Sequence, residues 1–390
     1  MEKEKKKNLN LQKEPIMEGK LTGYPSIDKP WMKWYDKNKL NKTIKSTNCF
    51  DYLFEATNDY PENKLLKYYG KEYTREDIKF EVEKNIKMFS SMDLNPGDVV
   101  SLIMIDVPEV LFMFLALSKM GVITNLIKFD EVPERINSMM NLTNSKYLFA
   151  SEVPFILTNV KEAVKSNDNI EKIIIVKPTQ STNMIDILKD TDKMLKSKKH
   201  NKITYLSELK NELISAKNMM KECKTIIDKD CKFVDYNYWI NTLESDNSYK
   251  YNTAIDDVCL IVYTGGTTGD AKGVQLTNRN IIESAFGFKA SDWGFDEDKT
   301  SLNILPPAIA YYFNATYNMM CCGVNTTLIA NFKLDEYPNL LKVHRPNIFL
   351  SGPILLKMVA ENDIVQDASF MTNPISGGDK MYIDEEIFIQ

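Results

Sequence analysis

The stretch YTGGTTGDAKGVQLTNRN, Tyr263–Asn280, places four of the chain's 15 glycines within nine positions, Gly265 to Gly273. Average sequences carry about 7% glycine, so this 390-residue chain is sparing with it elsewhere. The apolar run VCLIVY (258–263) leads in as a strand. GVQLT then resumes a strand-like alternation before NIIESAFGF opens a helix, with Thr277 or Asn278 as its cap. The loop therefore joins two strands. A Walker A loop leads straight into a helix and sets Ser or Thr after its lysine, whereas Lys272 is followed by Gly273; G-x-G-x-x-G is absent too. The composition still suits phosphate. Glycines let successive backbone N–H groups face one concavity, Thr264, Thr267 and Thr268 add hydroxyls, and Lys272 supplies a mobile charge. A bare hairpin turn needs only about two to five residues, fewer than this loop spends.

Helical and strand patterns alternate on both sides of the loop. TREDIKFEVEKNIKMFSSM (74–92) has helical apolar spacing, with Thr74 placed to cap it. VVSLIMI (99–105), VITNLI (122–127), KYLFAS and EKIIIV (171–176) are expected strands. Between them, Glu109 to Met120 is an expected buried helix closed by Gly121, PERINSMMNLTNS another, and residues 157–166 a third. Such alternation implies parallel βαβ units and an α/β fold. The expected divisions are an N-terminal tail (1–30), a first α/β subdomain (31–176), a connecting region (177–255) and a second α/β subdomain carrying the loop (256–390). The connecting region is rich in lysine, asparagine and serine, with helical hints at 206–229 and an aromatic cluster, YNYWI.

Composition excludes several classes of function. A net charge of -5 and a pI near 5.4 argue against a nucleic-acid binder but leave room for anionic small molecules. Six cysteines without a C-x-x-C pair, and two histidines, argue against zinc, disulfide and histidine-triad chemistry and for reduced thiols in a cytoplasmic protein. The longest apolar run, VLFMFLAL (110–117), is far shorter than the roughly 20 residues that span a bilayer. MEKEKKKNLNLQKEP has no apolar segment behind its charges, so it is not a secretory signal.

The loop resembles the phosphate-binding signature of the adenylate-forming, AMP-binding enzymes, Tyr-Thr-Ser-Gly-Thr-Thr-Gly-x-Pro-Lys-Gly-Val, departing from it at Gly265 and Ala271. LNILPPAIAYYFNATYNMMCCGVNTTLI resembles the segment lining the family's carboxylate pocket, and NPISGGDKM its Gly-Gly stretch beside the adenine. GYPSIDKPW and the PP-x-I-A-Y form look most like bacterial acyl-CoA synthetases. The resemblance covers roughly residue 30 to the end. It implies activation of a carboxylic acid with ATP and Mg²⁺, then transfer to coenzyme A. Thr264, Gly265, Gly266, Thr267, Thr268 and Gly269 would hold phosphate, with Thr268 on the Mg²⁺ side and Lys272 as the catalytic cation. Gly377, Gly378 and Asp379 would line the adenine side, and Tyr311, Tyr312, Phe313 and Asn314 the acid.

Two departures qualify that expectation. Ala308, Ile309 and Ala310 stand where many relatives carry an aromatic–His pair. No Tyr-Gly-x-Thr-Glu motif follows Met381, so the resemblance implies a large N-terminal domain without the small C-terminal one, and a fragment that does not complete thioester formation. The alternatives are an adenylation domain loading a carrier protein and a non-catalytic nucleotide- or acyl-binding remnant. His344 is expected at the surface; Met319, Met320 and Val324 fit an aliphatic acid and core packing equally.

Overall fold

The computed structural model describes residues 22–198, 202–227, 232–242, 253–264, 272–330, 332–361 and 367–381. Thirteen strands are formed among them: β1 Lys64–Tyr68, β2 Lys71–Thr74, β3 Val99–Ile103, β4 Ile123–Leu126, β5 Tyr147–Ser151, β6 Lys172–Val176, β7 Phe233–Asp235, β8 Val258–Tyr263, β9 Gly273–Thr277, β10 Thr300–Asn303, β11 Asn325–Leu328, β12 Ile348–Ser351 and β13 Asn373–Ser376. They build two sheets. One has seven strands in the order β7-β6-β5-β3-β4-β8-β9, the other six in the order β13-β12-β10-β11-β1-β2. Each sheet is parallel except for one antiparallel hairpin at an edge, β8 with β9 and β1 with β2. The β1–β2 turn is made by Tyr69 and Gly70, both at positive φ, as a two-residue hairpin requires.

The expected strands and helices form within a few residues of their predicted bounds. Thr74 closes a capping box with Asp77 on the helix Arg75–Ser90, and Gly121, at φ 71°, ends the helix Pro108–Met120. The expected divisions of the chain do not coincide with the sheets. β1 and β2 come from the first part yet complete the sheet built by β10–β13, while β8 and β9 come from the second part yet complete the sheet built by β3–β7. The connecting region is also more than a link. It contributes β7 at a sheet edge, the long helix Lys202–Ile227 and the helix Tyr236–Thr242. Tyr68 and Tyr73 of the other sheet donate to the carbonyls of Pro178 and Ser181 at 2.7 and 2.9 Å. Of the expected tail, residues 1–21 lie outside the described residues; within 22–30 a short helix, Pro25–Asp28, is formed.

The helix Pro108–Met120 is buried all round except at Lys119 and lies in the core cluster that joins the two sheets. Just before it, Asp106 is almost fully buried. Its carboxylate accepts from Asn303 Nδ2 at 2.8 Å and from Tyr312 Oη at 3.0 Å, and also from the backbone N–H of Ile329. It thereby ties the end of β3 to the ends of β10 and β11 in the other sheet. Glu109, in the first turn of the same helix, accepts from Ser181 Oγ at 2.6 Å, while its Oε2 has no partner. Burial pushes both carboxyls up to about 7, only partly offset by these hydrogen bonds.

A carboxyl whose folded pKa is raised above its ordinary value near 4 leaves the folded state holding more protons than the unfolded one between those limits. Stability then falls as pH rises from about 4.5 to about 7. Glu109→Gln removes that titration at constant size. Its stability relative to the parent is expected to improve steadily from pH 5 to pH 8, by on the order of 2 kcal/mol, in urea unfolding followed by circular dichroism. A difference independent of pH would show that Glu109 is not held protonated by burial.

Candidate functional site

The hairpin β8–β9 presents the glycine-rich loop. Its last strand pair is Tyr263 with Gly273, and beyond that pair the Thr264 N–H donates to the Lys272 carbonyl at 3.2 Å. The chain thus enters and leaves the loop side by side, with Thr264 and Lys272 exposed at its mouth. Gly265, Gly266, Thr267, Thr268 and Gly269 lie outside the described residues. The strand-to-strand placement is as the sequence implies, since β9 returns antiparallel on β8 before any helix begins.

β9 runs directly into the helix Asn278–Ala290. Thr277 is its N-cap, accepting from the Asn280 N–H, while Asn280 Oδ1 accepts from the Thr277 N–H at 3.0 Å. Across from this helix stand two short helices, Tyr311–Ala315 and Tyr317–Cys321, separated by Thr316. Between them opens a cavity of about 310 Å³, with Gly378 in its lining. Leu276, Ile281, Ala310 and Phe313 form its apolar wall. Asn280, Ser284, Tyr311, Asn314 and Asn318 form the polar one. Leu276 lies four residues after Lys272 along β9, so loop mouth and cavity are about 13 Å apart at a strand rise of about 3.3 Å per residue.

The polar wall is a connected network. Asn318 Nδ2 donates to Ser284 Oγ at 3.0 Å and to Asn314 Oδ1 at 3.1 Å, and Ser284 Oγ lies 3.4 Å from the same Asn314 oxygen. Asn318 is fully buried, yet its Oδ1 has no partner. The buried hydroxyls of Tyr311 and Ser376 also lack one. A buried polar atom left unpaired costs about 1–3 kcal/mol, so Asn318 and Tyr311 are held in this wall at the expense of stability. Burial pushes the Tyr311 phenol up, keeping it a neutral donor. Among the described residues no charged side chain lines the cavity and no cluster of His, Cys, Asp or Glu could hold a metal ion.

The expected site residues divide accordingly. Tyr311, Phe313, Asn314 and Gly378 line the cavity. Gly377 packs against Tyr311, with room for a hydrogen only, because a Cβ there would fall 2.7 Å from the phenol oxygen and 2.9 Å from the ring carbon that bears it. Tyr312 does not reach the cavity. It is fully buried and spends its hydroxyl on Asp106, so it supports the pocket helix from below. Asp379 is exposed and accepts from the Lys380 N–H at 2.7 Å, which makes it a turn residue in this structure. Met319, Met320 and Val324 are fully buried in the core and form no part of the wall. His344 is half-buried rather than on the surface. It ends the helix Tyr337–His344 beside a second cavity of about 190 Å³, and burial lowers its imidazole to about 4.

Asn280, Ser284 and Asn318 went unnoticed in the sequence. Their signal is the i, i+4 pairing of Asn280 with Ser284 and of Asn314 with Asn318.

The family described as AMP-binding enzyme matches residues 53–384. Acetyl-coenzyme A synthetase of Helicobacter acinonychis is 23% identical over 370 residues, covering 87% of this chain and 48% of its own length. The long-chain-fatty-acid–CoA ligase of Bacillus subtilis is 23% identical over 343 residues, 84% of this chain and 54% of its own. The chain spans about half the length of these relatives. Among solved structures, the N-terminal subdomain of Klebsiella oxytoca NpsA superposes with a TM-score of 0.61 at 14% identity, over 88% of this chain and 70% of that one. Its agreement with the two-sheet architecture is a likeness of fold.

The contact of Gly377 with Tyr311 makes the site sensitive to a single methyl group. Gly377→Ala is expected to destabilise the protein by about 1–3 kcal/mol in urea unfolding, because phenol and backbone cannot both stay in place. Tyr311→Ala in the same chain is expected to return most of that loss. Additive effects in the double variant would mean that the two residues do not touch.

Proposed function

The chain belongs to the AMP-binding enzyme family, and from that premise we propose that it binds ATP and a carboxylic acid and joins them as an acyl-adenylate. In this reading it is the first half of an AMP-dependent acid–thiol ligase of the acyl-CoA synthetase type, with coenzyme A as the acceptor of the acyl group in the whole protein. The observation that carries the reading is the hairpin β8–β9, which sets Lys272 at the mouth of the glycine-rich loop and Leu276 in the wall of the cavity.

In the proposed reaction a carboxylate oxygen of the acid attacks the α-phosphorus of ATP. A new P–O bond forms, the bond to the bridging oxygen of the β-phosphate breaks, and pyrophosphate leaves with that electron pair. A carboxylate is a weak nucleophile, so the protein contributes mainly position and charge neutralisation. The Lys272 ammonium, exposed at the loop mouth, is the group proposed to neutralise the departing pyrophosphate. Thr264 and the loop residues 265–271 would hold the phosphates. Gly377 and Gly378 would let the adenylate approach the backbone at the end of β13, where the hydroxyls of Ser376 and Tyr311 have no partner. Mg²⁺ is commonly held through substrate phosphates with few protein ligands, so Thr268 remains the proposed hydroxyl for it. Five described cysteines are free and buried, and no helix among the described residues is long and apolar enough to cross a membrane. A reducing compartment such as the cytoplasm accords with the free thiols.

Calorimetric titration tests the reading with MgATP and with an acyl-sulfamoyl adenosine, a stable analogue of the acyl-adenylate. Both are expected to bind the 390-residue chain. Lys272→Ala is expected to weaken MgATP by about tenfold and the analogue, which lacks the β- and γ-phosphates, by far less. The reading falls if neither ligand binds, or if Lys272→Ala leaves MgATP binding unchanged.

A further inference from the structure

Tyr263 is the last residue of β8 before the glycine-rich loop, yet its ring packs inward, against the core cluster that holds Ile103, Ile127 and Met139. Burial pushes its phenol up to about 12, so the hydroxyl stays a neutral donor. That hydroxyl donates to the Met139 carbonyl at 3.4 Å, in the helix Pro133–Thr143. The same carbonyl accepts from Thr143 Oγ1 at 3.1 Å. The Asn125 amide of β4 faces the tyrosine oxygen too, and donates to Ser101 Oγ of β3 at 2.9 Å. Ser145 Oγ completes the chain, 2.7 Å from Ser101 Oγ and 2.9 Å from Thr143 Oγ1. A line of polar side chains thus crosses β3, β4 and β8, neighbours in the seven-stranded sheet, and ends at the residue before the loop mouth. Apolar packing alone has no direction, whereas these hydrogen bonds fix where the ring lies.

The ring bears on the hairpin in turn. Tyr263 is the strand partner of Gly273. A Cβ on Gly273 would fall 3.4 Å from Tyr263 Cε1 and 3.1 Å from Ile261 Cγ2, so the two side chains occupy the face that the glycine leaves bare. β9 is the last strand of its sheet, so its pairing with β8 alone sets its register. An aromatic ring laid on an edge glycine pins such a register. Slipping β9 by one residue would put the side chain of Lys272 or Val274 where the ring meets a bare backbone. Lys272 directly precedes Gly273, so the place of the glycine decides where the lysine side chain starts.

Resting on the reading that Lys272 neutralises the phosphates of ATP, we propose that Tyr263 is a positioning residue for that lysine. Its hydroxyl, held by Met139 and faced by Asn125, fixes the ring, and the ring fixes Gly273 and with it the origin of the Lys272 side chain. Tyr263 acts only through Lys272.

Calorimetric titration of the 390-residue chain with MgATP, and with AMP as the ligand lacking the β- and γ-phosphates, tests the proposal. Tyr263→Leu removes ring and hydroxyl and is expected to weaken MgATP by about tenfold, as much as Lys272→Ala. Tyr263→Phe keeps the ring and is expected to weaken it by about threefold; it serves should the leucine variant fail to fold by circular dichroism. AMP is expected to change by less than about twofold in both. Combined with Lys272→Ala, neither substitution is expected to weaken MgATP further, because a residue acting through a lysine has no effect once the lysine is gone. Losses that add to that of Lys272→Ala overturn the proposal. Equal weakening of AMP and MgATP, which loosening of the structure alone would give, overturns it as well. MgATP binding unchanged in both Tyr263 variants overturns it and leaves the family reading standing. A parent chain that binds neither nucleotide sinks both.

Discussion

Everything around the cavity hangs on the buried carboxylate of Asp106. It stands at the end of β3, in the seven-stranded sheet, and its acceptors are filled by Asn303 at the end of β10, by Tyr312 in the pocket segment and by the backbone after β11. Two sheets packed through apolar side chains alone could slide with little change in buried area, because the hydrophobic effect has no direction. Hydrogen bonds do have direction. One carboxylate bonded to three separate elements therefore sets the register between the sheets and fixes the height of the helix that bears Tyr311 and Asn314. Burying it has a cost, visible in its raised pKa, and the three donors offset only part of that.

With the segment 311–321 fixed from below, its sequence sorts itself by face. Tyr312, Ala315, Met319 and Met320 are buried in the core; Tyr311, Asn314 and Asn318 stand at i, i+3 and i+7 and turn to the cavity. The break at Thr316, whose hydroxyl donates to the Tyr312 carbonyl at 2.7 Å, divides the stretch into two short helices without losing that alignment. The cavity has a polar side because of this sorting, although the segment taken as a string of letters is dominated by aromatic residues and methionine.

The legible parts of the fold are those where local pattern and final environment agree. β3, β5, β6 and β8 are near-continuous runs of apolar residues, as strands covered on both faces must be, and the helix Pro108–Met120 ends at a glycine whose positive φ the sequence foreshadows. Strand partners are another matter. Local pattern does not say that KLLKY lies beside β11, more than two hundred residues away, so divisions drawn along the chain miss the exchange of β1–β2 and β8–β9 between the sheets. The site divides in the same way. The strand-to-strand setting of the glycine-rich loop is legible because an apolar strand leads into it and an alternating one leaves it. The polar wall is not, because Asn280, Ser284, Asn314 and Asn318 acquire meaning only when two helices separated in sequence are brought face to face. Tyr312 shows the converse, since an aromatic residue in the right motif can belong to the support rather than the pocket.

The exchange of hairpins between sheets also explains why the loop joins two strands. A parallel strand followed by a helix would carry the chain away across the sheet face, leaving only the helix N-terminus to meet a ligand. An antiparallel return on β8 instead keeps the chain at the sheet edge for five more residues and delivers Leu276 and the helix Asn278–Ala290 beside the pocket segment. One strand thus has a charged end at Lys272 and an apolar end in the cavity wall, about 13 Å apart by strand geometry. Shortening β9 by one residue would reverse which side chains face the cavity, because strand side chains alternate. The separation between the loop mouth and the cavity is therefore set by backbone geometry, while the lining of the cavity is left to the few side chains that the two facing helices present.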